Sequence, residues 1–311
     1  MRLNDSYLRS IAYIGVARPG TDRGIDTHGT GFLLAHEETV YLVTAAHVAV
    51  DFVDGPMDIR LNKQEGGLGG IEHFDETNWY FHPNTKVDVA VMPIEVPRWA
   101  RAESLKSKWI ASEFKVTTKD FGSGDLAYIV GIFNKMRGKE KNEPFVHTGH
   151  IASMGYGETA LIRDWSIGAK KSAYVEVNGY FVQATTLPES SGSPVFVRRS
   201  IETTVGTPRT WAYGSVWFLG LWSGSWETTE KNVIVGDDMG MCVPAPRILE
   251  VLELPELKNT RIAAKVAEED YVAMKPQKRS MAGGDTLLRT MLNAPSKPLT
   301  KKKAANRKAR G

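Results

Sequence analysis

The apolar residues of this chain fall mainly into short runs that are rich in β-branched and aromatic side chains. The clearest runs occupy residues 39–45, 88–94, 126–133, 174–185, 194–197, 211–222 and 233–235. Clusters of glycine, proline, asparagine and aspartate separate them, and short runs bounded by such residues are typical of strands. The pattern predicts an all-β barrel or sandwich. Asn178-Gly179, midway along one run, predicts a two-residue hairpin turn.

Helical periodicity is confined to the C-terminal part. Residues 246–254 place apolar side chains on one face and end at a proline, which predicts a short amphipathic helix. Residues 256–275 fit a second, more polar helix, and 286–292 a short amphipathic one. After Pro295 almost no apolar residue remains, so this end is expected to be disordered.

Composition narrows the class of protein. The chain has 311 residues, of which 42% are hydrophobic and 24% charged, an ordinary globular mixture. No run approaches the roughly 18 apolar residues of a membrane-spanning helix, and the N-terminus makes a poor secretory signal. Cys242 is the single cysteine, so no intrachain disulfide can form. We therefore expect a cytoplasmic protein that does not act at a membrane.

The net charge of +3 conceals two unlike regions. Residues 275–311 hold eleven Lys or Arg residues and one acid, a net +10, whereas 1–274 hold 28 basic and 35 acidic residues, a net −7. Clustered cations release counterions from polyanions, so the tail 275–311 is a candidate anchor for nucleic acid or an acidic partner. An idle solubilising tail explains the composition equally well, and no base-reading motif is evident.

Three segments contain residue types that acyl transfer requires. His47 closes an apolar strand in TAAHV, Asp88 opens a strand in DVAVMPI, and Ser191 lies in the small-residue turn SSGSPVF. A serine hydroxyl is a weak nucleophile until a base takes its proton, and a histidine suits that role. A buried carboxylate then orients the imidazole. Ser190 and Ser193 fit the nucleophile equally well by composition, but the following Gly-Ser-Pro favours Ser191.

These segments, in the order His47, Asp88, Ser191, resemble the motifs of the trypsin/chymotrypsin-like serine peptidases. GTGFL at 29–33 is similar to the strand before that family's histidine motif, and LGLWSG at 219–224 to the strand that lines its specificity pocket. The lack of disulfides and the Gly-Ser-Pro ending are closer to bacterial members. The resemblance implies two antiparallel β-barrels and cleavage of protein or peptide substrates, with no metal or other cofactor.

The resemblance also assigns an oxyanion hole. Its donors would be the backbone N–H groups of Glu189 and Ser191. In the family the first of these positions is usually glycine, and a side chain there disfavours the backbone orientation that aims the N–H inward. Losing one donor costs about 100- to 1000-fold in rate. Glu189 therefore motivates an alternative function, a catalytically latent binding module with a protease fold.

Substrate-binding positions follow from the same resemblance. Ser223 is expected to support Asp88 and to line the path of the substrate backbone. Thr185 and Thr186 are placed at the floor and wall of the specificity pocket, and Ser225 near its mouth. No acid lies among them, so we expect a neutral pocket for a small or apolar side chain.

The expected organisation is a peptidase domain followed by an appendix. The domain spans 1–254, and the basic appendix, helical and partly disordered, spans 255–311. Within the domain, the expected parts are a first barrel at about 8–110, a second barrel at about 111–245 and a helix at 246–254.

His147 and His150 have a His-x-x-His spacing, but two ligands without a nearby cysteine do not predict a metal site.

Overall fold

The chain divides into two compact units, Met1–Ala263 and Ala264–Gly311. The computed structural model describes residues 3–21, 24–64, 67–110, 121–136, 138–155, 159–163, 174–185, 187, 189–198, 203–204, 207–208, 216–225, 228–230, 233–235 and 238–274. The expected helix at 286–292 and the basic tail 275–311 lie outside these residues. Everything described below about the candidate site belongs to the first unit.

The N-terminal half forms one eight-stranded sheet. Its strands are β1 (Ile11–Ala17), β2 (Ile25–His36), β3 (Thr39–Thr44), β4 (Met57–Asn62), β5 (Gly69–Phe74), β6 (Tyr80–Phe81), β7 (Ala90–Pro93) and β8 (Leu105–Lys106). They pair in the order β5-β4-β1-β2-β3-β7-β6, and β8 lies parallel to β2. Helix α1 (Asp5–Arg9) precedes the sheet, and helix α2 (Ala46–Ala49) follows β3.

The C-terminal half is built around a closed six-stranded barrel. Its strands are β9 (Leu126–Gly131), β10 (Phe145–Ser153), β13 (Tyr180–Gln183), β14 (Pro194–Arg198), β17 (Val216–Ser225) and β20 (Met239–Pro244). They pair in the circular order β10-β13-β20-β17-β14-β9. Three two-stranded ribbons accompany it: β11 (Ala160–Arg163) with β12 (Tyr174–Val177), β15 (Thr203–Thr204) with β16 (Thr207–Pro208), and β18 (Thr228–Glu230) with β19 (Val233–Val235).

Strand β9 shows why these runs are apolar on both faces. Ala127 and Ile129 belong to the core inside the barrel, whereas Tyr128 and Val130 belong to the larger core that also contains the first sheet. Successive side chains of a strand point to opposite faces, so a strand between two cores is apolar throughout. The expected fold class is confirmed. Among the described residues, strand pairing closes the C-terminal sheet, β10-β13-β20-β17-β14-β9, into a barrel.

Two helices end the described chain. Helix α3 (Ala245–Leu252) falls within two residues of the expected bounds and buries Ile248, Val251 and Leu252. Helix α4 (Pro255–Met274) starts at the proline that ends the preceding pattern. Among the described residues, no helix has the combined length and apolar content that crossing a bilayer requires.

The hairpin expected at Asn178-Gly179 is wrong. Strands β12 and β13 flank this dipeptide, but β12 pairs with β11, and β13 pairs with β10 and β20. A Cβ at Gly179 would lie 3.1 Å from the Met241 side chain, so the backbone there passes close to β20. Tertiary pairing with other strands therefore overrides the local turn preference.

Candidate active site

His47 and Asp88 meet because their flanking strands are neighbours. Strands β3 and β7 are antiparallel and pair Thr44 with Ala90. The chain leaves β3 into helix α2, where His47 is the second residue, and it enters β7 two residues after Asp88. The C-terminal end of one strand lies beside the N-terminal start of its antiparallel neighbour, so both side chains lie at the same end of this strand pair.

Asp88 holds His47 through both carboxylate oxygens. Oδ2 lies 2.8 Å from His47 Nδ1, and Oδ1 accepts the backbone N–H of His47 at 3.0 Å. The Asp88 side chain is 7% exposed and that of His47 23%. The carboxylate therefore fixes both the ring and the backbone of His47.

The two groups shift each other's pKa in opposite directions. Burial lowers the pKa of His47, but the charge of Asp88, its hydrogen bond and the charge of Asp51 outweigh burial, so this pKa lies above its ordinary value. Burial raises the pKa of Asp88, but the charge of His47 and the hydrogen bonds donated by His47 and Ser223 hold it below its ordinary value. An ionised carboxylate beside a basic imidazole is the arrangement that general-base chemistry needs.

Ser191 is held in a tight turn that opens strand β14. Gly192 has a φ of 88° and donates its N–H to the Trp222 carbonyl at 2.8 Å. A Cβ on Gly192 would lie 2.0 Å from the Thr30 carbonyl oxygen, so only glycine fits this position. The Thr30 N–H donates to the Ser191 carbonyl at 2.9 Å. The turn is therefore fixed both to β17 and to β2.

Ser223 joins the serine turn to the His47–Asp88 pair. Its hydroxyl donates to Asp88 Oδ2 at 2.5 Å, and its carbonyl accepts the Ser191 hydroxyl at 3.0 Å. Ser223 is 2% exposed. One residue thus connects the carboxylate on one side with the hydroxyl on the other, and His47, Asp88, Ser191 and Ser223 lie in one cluster.

The cluster is also closed from the side of β2. A Cβ at Gly29 would lie 2.7 Å from the Val48 side chain and 3.3 Å from the Ser191 carbonyl oxygen. The residue after His47 and the carbonyl of Ser191 therefore approach each other across a glycine. A side chain at Gly29 would force these two segments apart.

Glu189 adopts the backbone conformation that glycine adopts without strain. Its φ is 65°, in the left-handed region that residues with a Cβ seldom occupy. Two contacts from β2 hold it there: the Thr27 hydroxyl donates to Glu189 Oε2, and the Thr30 hydroxyl donates to the Glu189 carbonyl at 3.0 Å. The Glu189 side chain is thus itself anchored, through its carboxylate, to β2.

The expected pocket residues are only partly described. Thr185 is exposed, and its carbonyl accepts the Nδ1–H of His147 at 3.2 Å. Thr186 and the side chain of Ser225 lie outside the described residues. Burial lowers the pKa of His147 to about 4, against a smaller opposing effect of the Thr185 hydrogen bond. His147 Nε2 is buried without a hydrogen-bond partner.

Sequence reasoning missed the hydroxyls of Thr27 and Thr30. Thr30 is fully buried, donates its hydroxyl to Glu189, and accepts the Ile132 N–H on the same oxygen at 3.0 Å. The GTGFL motif contains Thr30, but the motif gives no sign of these partners, which lie more than 100 residues away. Within the described ranges, no cluster of three or more His, Cys, Asp or Glu side chains is arranged to hold a metal ion.

One comparison with known proteins identifies the family of this chain. The Rv3671c protease from M. tuberculosis, in its active form, is a similar solved structure, with 16% sequence identity over 79% of this chain and 80% of that chain and a TM-score of 0.44. No curated protein matches the sequence. The trypsin-like peptidase domain matches residues 29–200, more than half of the chain, and this stretch contains His47, Asp88 and Ser191. The chain belongs to the trypsin-like peptidase family.

Proposed function

We propose that this protein is a serine endopeptidase in which Ser191 is the nucleophile, His47 the general base and Asp88 the group that orients His47. The observation that carries the proposal is the unbroken contact sequence from His47 through Asp88 and Ser223 to Ser191. These contacts bring together a hydroxyl, an imidazole and a carboxylate from segments far apart in the chain, the three groups that acyl transfer requires. The substrate is a protein or peptide.

In the proposed reaction, Ser191 Oγ bonds to the carbonyl carbon of the substrate and its proton passes to His47 Nε2. The carbonyl electrons move onto oxygen, and the N–H groups of Glu189 and Ser191 stabilise that charge. Collapse breaks the C–N bond, and protonated His47 gives its proton to the departing amine. Water then attacks the carbonyl carbon of the Ser191 ester and gives a proton to His47. Collapse breaks the bond to Ser191 Oγ, which takes the proton back from His47, and the acid product leaves.

The Ser191 hydroxyl starts this reaction from a hydrogen bond to the Ser223 carbonyl. To react, the hydroxyl exchanges that acceptor for His47 Nε2, which requires rotation about the Ser191 side chain. Catalytic hydrogen bonds commonly form in this way when substrate enters. The substrate, which pairs with the strand containing Ser223, is the group that favours the exchange.

Burial favours Ser191 over the two neighbouring serines as nucleophile. Ser190 is 2% exposed and donates its hydroxyl to the Leu187 carbonyl at 2.6 Å, and Ser193 is fully buried. Ser191 is partly exposed. A nucleophile must reach a substrate carbonyl, which a hydroxyl enclosed in the protein cannot do.

A fluorophosphonate probe tests the assignment, because it reacts covalently only with an activated serine. We expect labelling of the wild type and of Ser190→Ala, and none of Ser191→Ala. Labelling that persists in Ser191→Ala would refute the nucleophile. Cleavage of a peptide library by the wild type then defines the pocket preference, which we propose to be small or apolar.

The latent binding module remains the second candidate, and Glu189, a residue with a side chain and a positive φ where the family usually has glycine, is the observation that favours it. Hydrolysis by the wild-type protein distinguishes the two candidates, because strong hydrolysis excludes the latent alternative. A wild type that neither labels nor cleaves, while it still binds peptides, would support it.

The tail 275–311 supports a further part of the proposal, an electrostatic tether to nucleic acid or an acidic partner. The support is its eleven basic residues against one acid. We expect salt-sensitive binding to double-stranded DNA that disappears when the chain is truncated after Lys275. Retained binding by the truncated chain would contradict the tether. The cytoplasmic location stays a prediction.

A further inference from the structure

Glu189 combines a strained backbone with two unusual contacts to one strand. Its φ of 65° is unfavourable for any residue that has a Cβ. Its carboxylate accepts the Thr27 hydroxyl, and its carbonyl accepts the Thr30 hydroxyl. The side chain and the main chain of a single residue are thus both tied to β2. These two hydrogen bonds together stabilise a backbone conformation that is unfavourable for this residue by itself.

A β-bulge in β2 makes this double attachment possible. In the pairing of β1 with β2, Ile14 is opposite Gly29 and Gly15 is opposite Thr27, so His28 is an extra residue. In a regular strand, residues three apart such as Thr27 and Thr30 point to opposite faces. The extra residue shifts the alternation by one, and both threonine hydroxyls reach Glu189.

Hydrogen bonds hold the anchoring strand at Thr30, where it contacts Glu189. Thr30 is fully buried; besides donating to Glu189, its hydroxyl accepts the Ile132 N–H at 3.0 Å. Its carbonyl accepts the Thr44 hydroxyl at 2.7 Å, and its N–H donates to the Ser191 carbonyl at 2.9 Å. Thr30 therefore fixes the carbonyls of both Glu189 and Ser191, the two residues whose N–H groups are proposed to hold the oxyanion.

We propose that Thr27 and Thr30 form a hydroxyl clamp that keeps the backbone of Glu189 in the left-handed conformation. A glycine at this position would adopt the same conformation without such support. Thr27 and Thr30 are positioning residues, since they act through the Glu189 peptide and do not touch the substrate. This inference rests on the proposed serine-peptidase function. It explains how an oxyanion hole operates with a side chain at a position that disfavours one.

The clamp is tested by the rate at which p-nitrophenyl acetate acylates Ser191, because this small ester does not depend on the specificity pocket. Thr27→Val removes the hydroxyl and keeps the shape. We expect it to slow acylation about 10- to 100-fold, with little change in KM, since the loss of one oxyanion donor costs about 100- to 1000-fold. Thr27→Ser restores the hydroxyl and should recover most of the rate.

The decisive comparison repeats Thr27→Val in a Glu189→Gly background. Glycine needs no anchor, so in that background Thr27→Val should change the acylation rate by less than about threefold. Glu189→Ala, which has a Cβ but no carboxylate, should lose more rate than Glu189→Gln, which keeps an acceptor for Thr27. Thr260→Val, which removes a hydroxyl bonded to the Glu256 carbonyl in α4, is the matched control.

Two results would overturn the clamp: a Thr27→Val variant as fast as the wild type, or an equal loss in the Glu189→Gly background, which would mean that Thr27 acts on the fold and not through Glu189. A wild type no faster than Ser191→Ala means instead that the proposed function has failed. The clamp is then judged by the unfolding midpoints of the wild type, Thr27→Val, Glu189→Gly and the double variant. Non-additive midpoints support it and additive midpoints overturn it.

Discussion

Replacing Asp88 with asparagine separates the role of its charge from the role of its shape. The backbone N–H of His47 donates to Oδ1, and this contact decides which way an amide would lie. The asparagine oxygen stays opposite that N–H, because a buried N–H without an acceptor costs about 1–3 kcal/mol. The amide NH2 then replaces Oδ2, which faces His47 Nδ1 at 2.8 Å and the Ser223 hydroxyl at 2.5 Å.

An NH2 group at that position reverses the hydrogen bond to His47. Nδ1 must accept, so the ring proton moves to Nε2, and Nε2 can no longer take the proton of Ser191. To regain the productive tautomer, the Nδ1–H of His47 must face the asparagine NH2, and this contact between two donors costs about 3 kcal/mol. The protonated ring also loses a charge-assisted hydrogen bond of about 1.5–3 kcal/mol. The total, roughly 4–6 kcal/mol, corresponds to a loss of about 10³- to 10⁴-fold in kcat.

The assay is kcat on a cleaved peptide for Asp88→Asn, with Ser191→Ala as the floor and thermal unfolding as the check of folding. Asp51→Asn is the matched control, since Asp51 is exposed and influences His47 through its charge alone. We expect it to lose less than about threefold at pH 8. An Asp88→Asn enzyme that keeps more than about a tenth of the wild-type kcat would refute the tautomer argument.

Three further predictions follow from the same cluster and its surroundings. The raised pKa of His47 predicts an acid limb of kcat/KM with an apparent pKa above the ordinary 6.5, because the protonated base cannot accept the Ser191 proton; a limb centred below pH 6 would contradict this. Burial lowers the pKa of His147 to about 4, so the unfolded chain binds more protons between about pH 4 and 6.5, and stability is lost as the pH falls through that window. In urea unfolding, His147→Asn, which keeps a donor for the Thr185 carbonyl, should remove up to about 3 kcal/mol of that loss; equal pH slopes for variant and wild type would exclude the effect. Gly192→Ala places a Cβ 2.0 Å from the Thr30 carbonyl oxygen at a φ of 88°. We expect it to lower the unfolding free energy by about 2 kcal/mol or more and to reduce fluorophosphonate labelling of Ser191. An unchanged unfolding midpoint would contradict the crowding.

The fold class and the chemical groups were predictable because each depends on a local pattern. Apolar runs of strand length and the turn residues between them indicate an all-β chain whatever the pairing. The residues around His47, Asp88 and Ser191 combine a strand pattern with a reactive group in a few positions. Such signals are read within one segment, whereas the proximity of the three groups was implied only by the resemblance of these segments, in this order, to the family's motifs.

The support of Glu189 was not predictable, since it depends on contacts between distant residues. Thr27 and Glu189 are 162 positions apart, and their contact requires a particular pairing of β1 with β2. From the sequence, a side chain at Glu189 indicates only a disfavoured backbone. The error at Asn178-Gly179 has the same origin, because the partners of β12 and β13 are set by tertiary pairing and not by the dipeptide between them.

Irregularities of pairing, together with the regular pairing of β3 with β7, set the geometry of the site. Ser223 is itself the extra residue where β17 pairs with β20, since Trp222 is opposite Cys242 and Gly224 is opposite Met241. A bulge redirects side chains that strict alternation would send to the other face. The one at Ser223 accompanies the contact with Asp88, and the one at His28 brings the threonines to Glu189. Deleting either extra residue should therefore disable the site while most of the strand pairing survives.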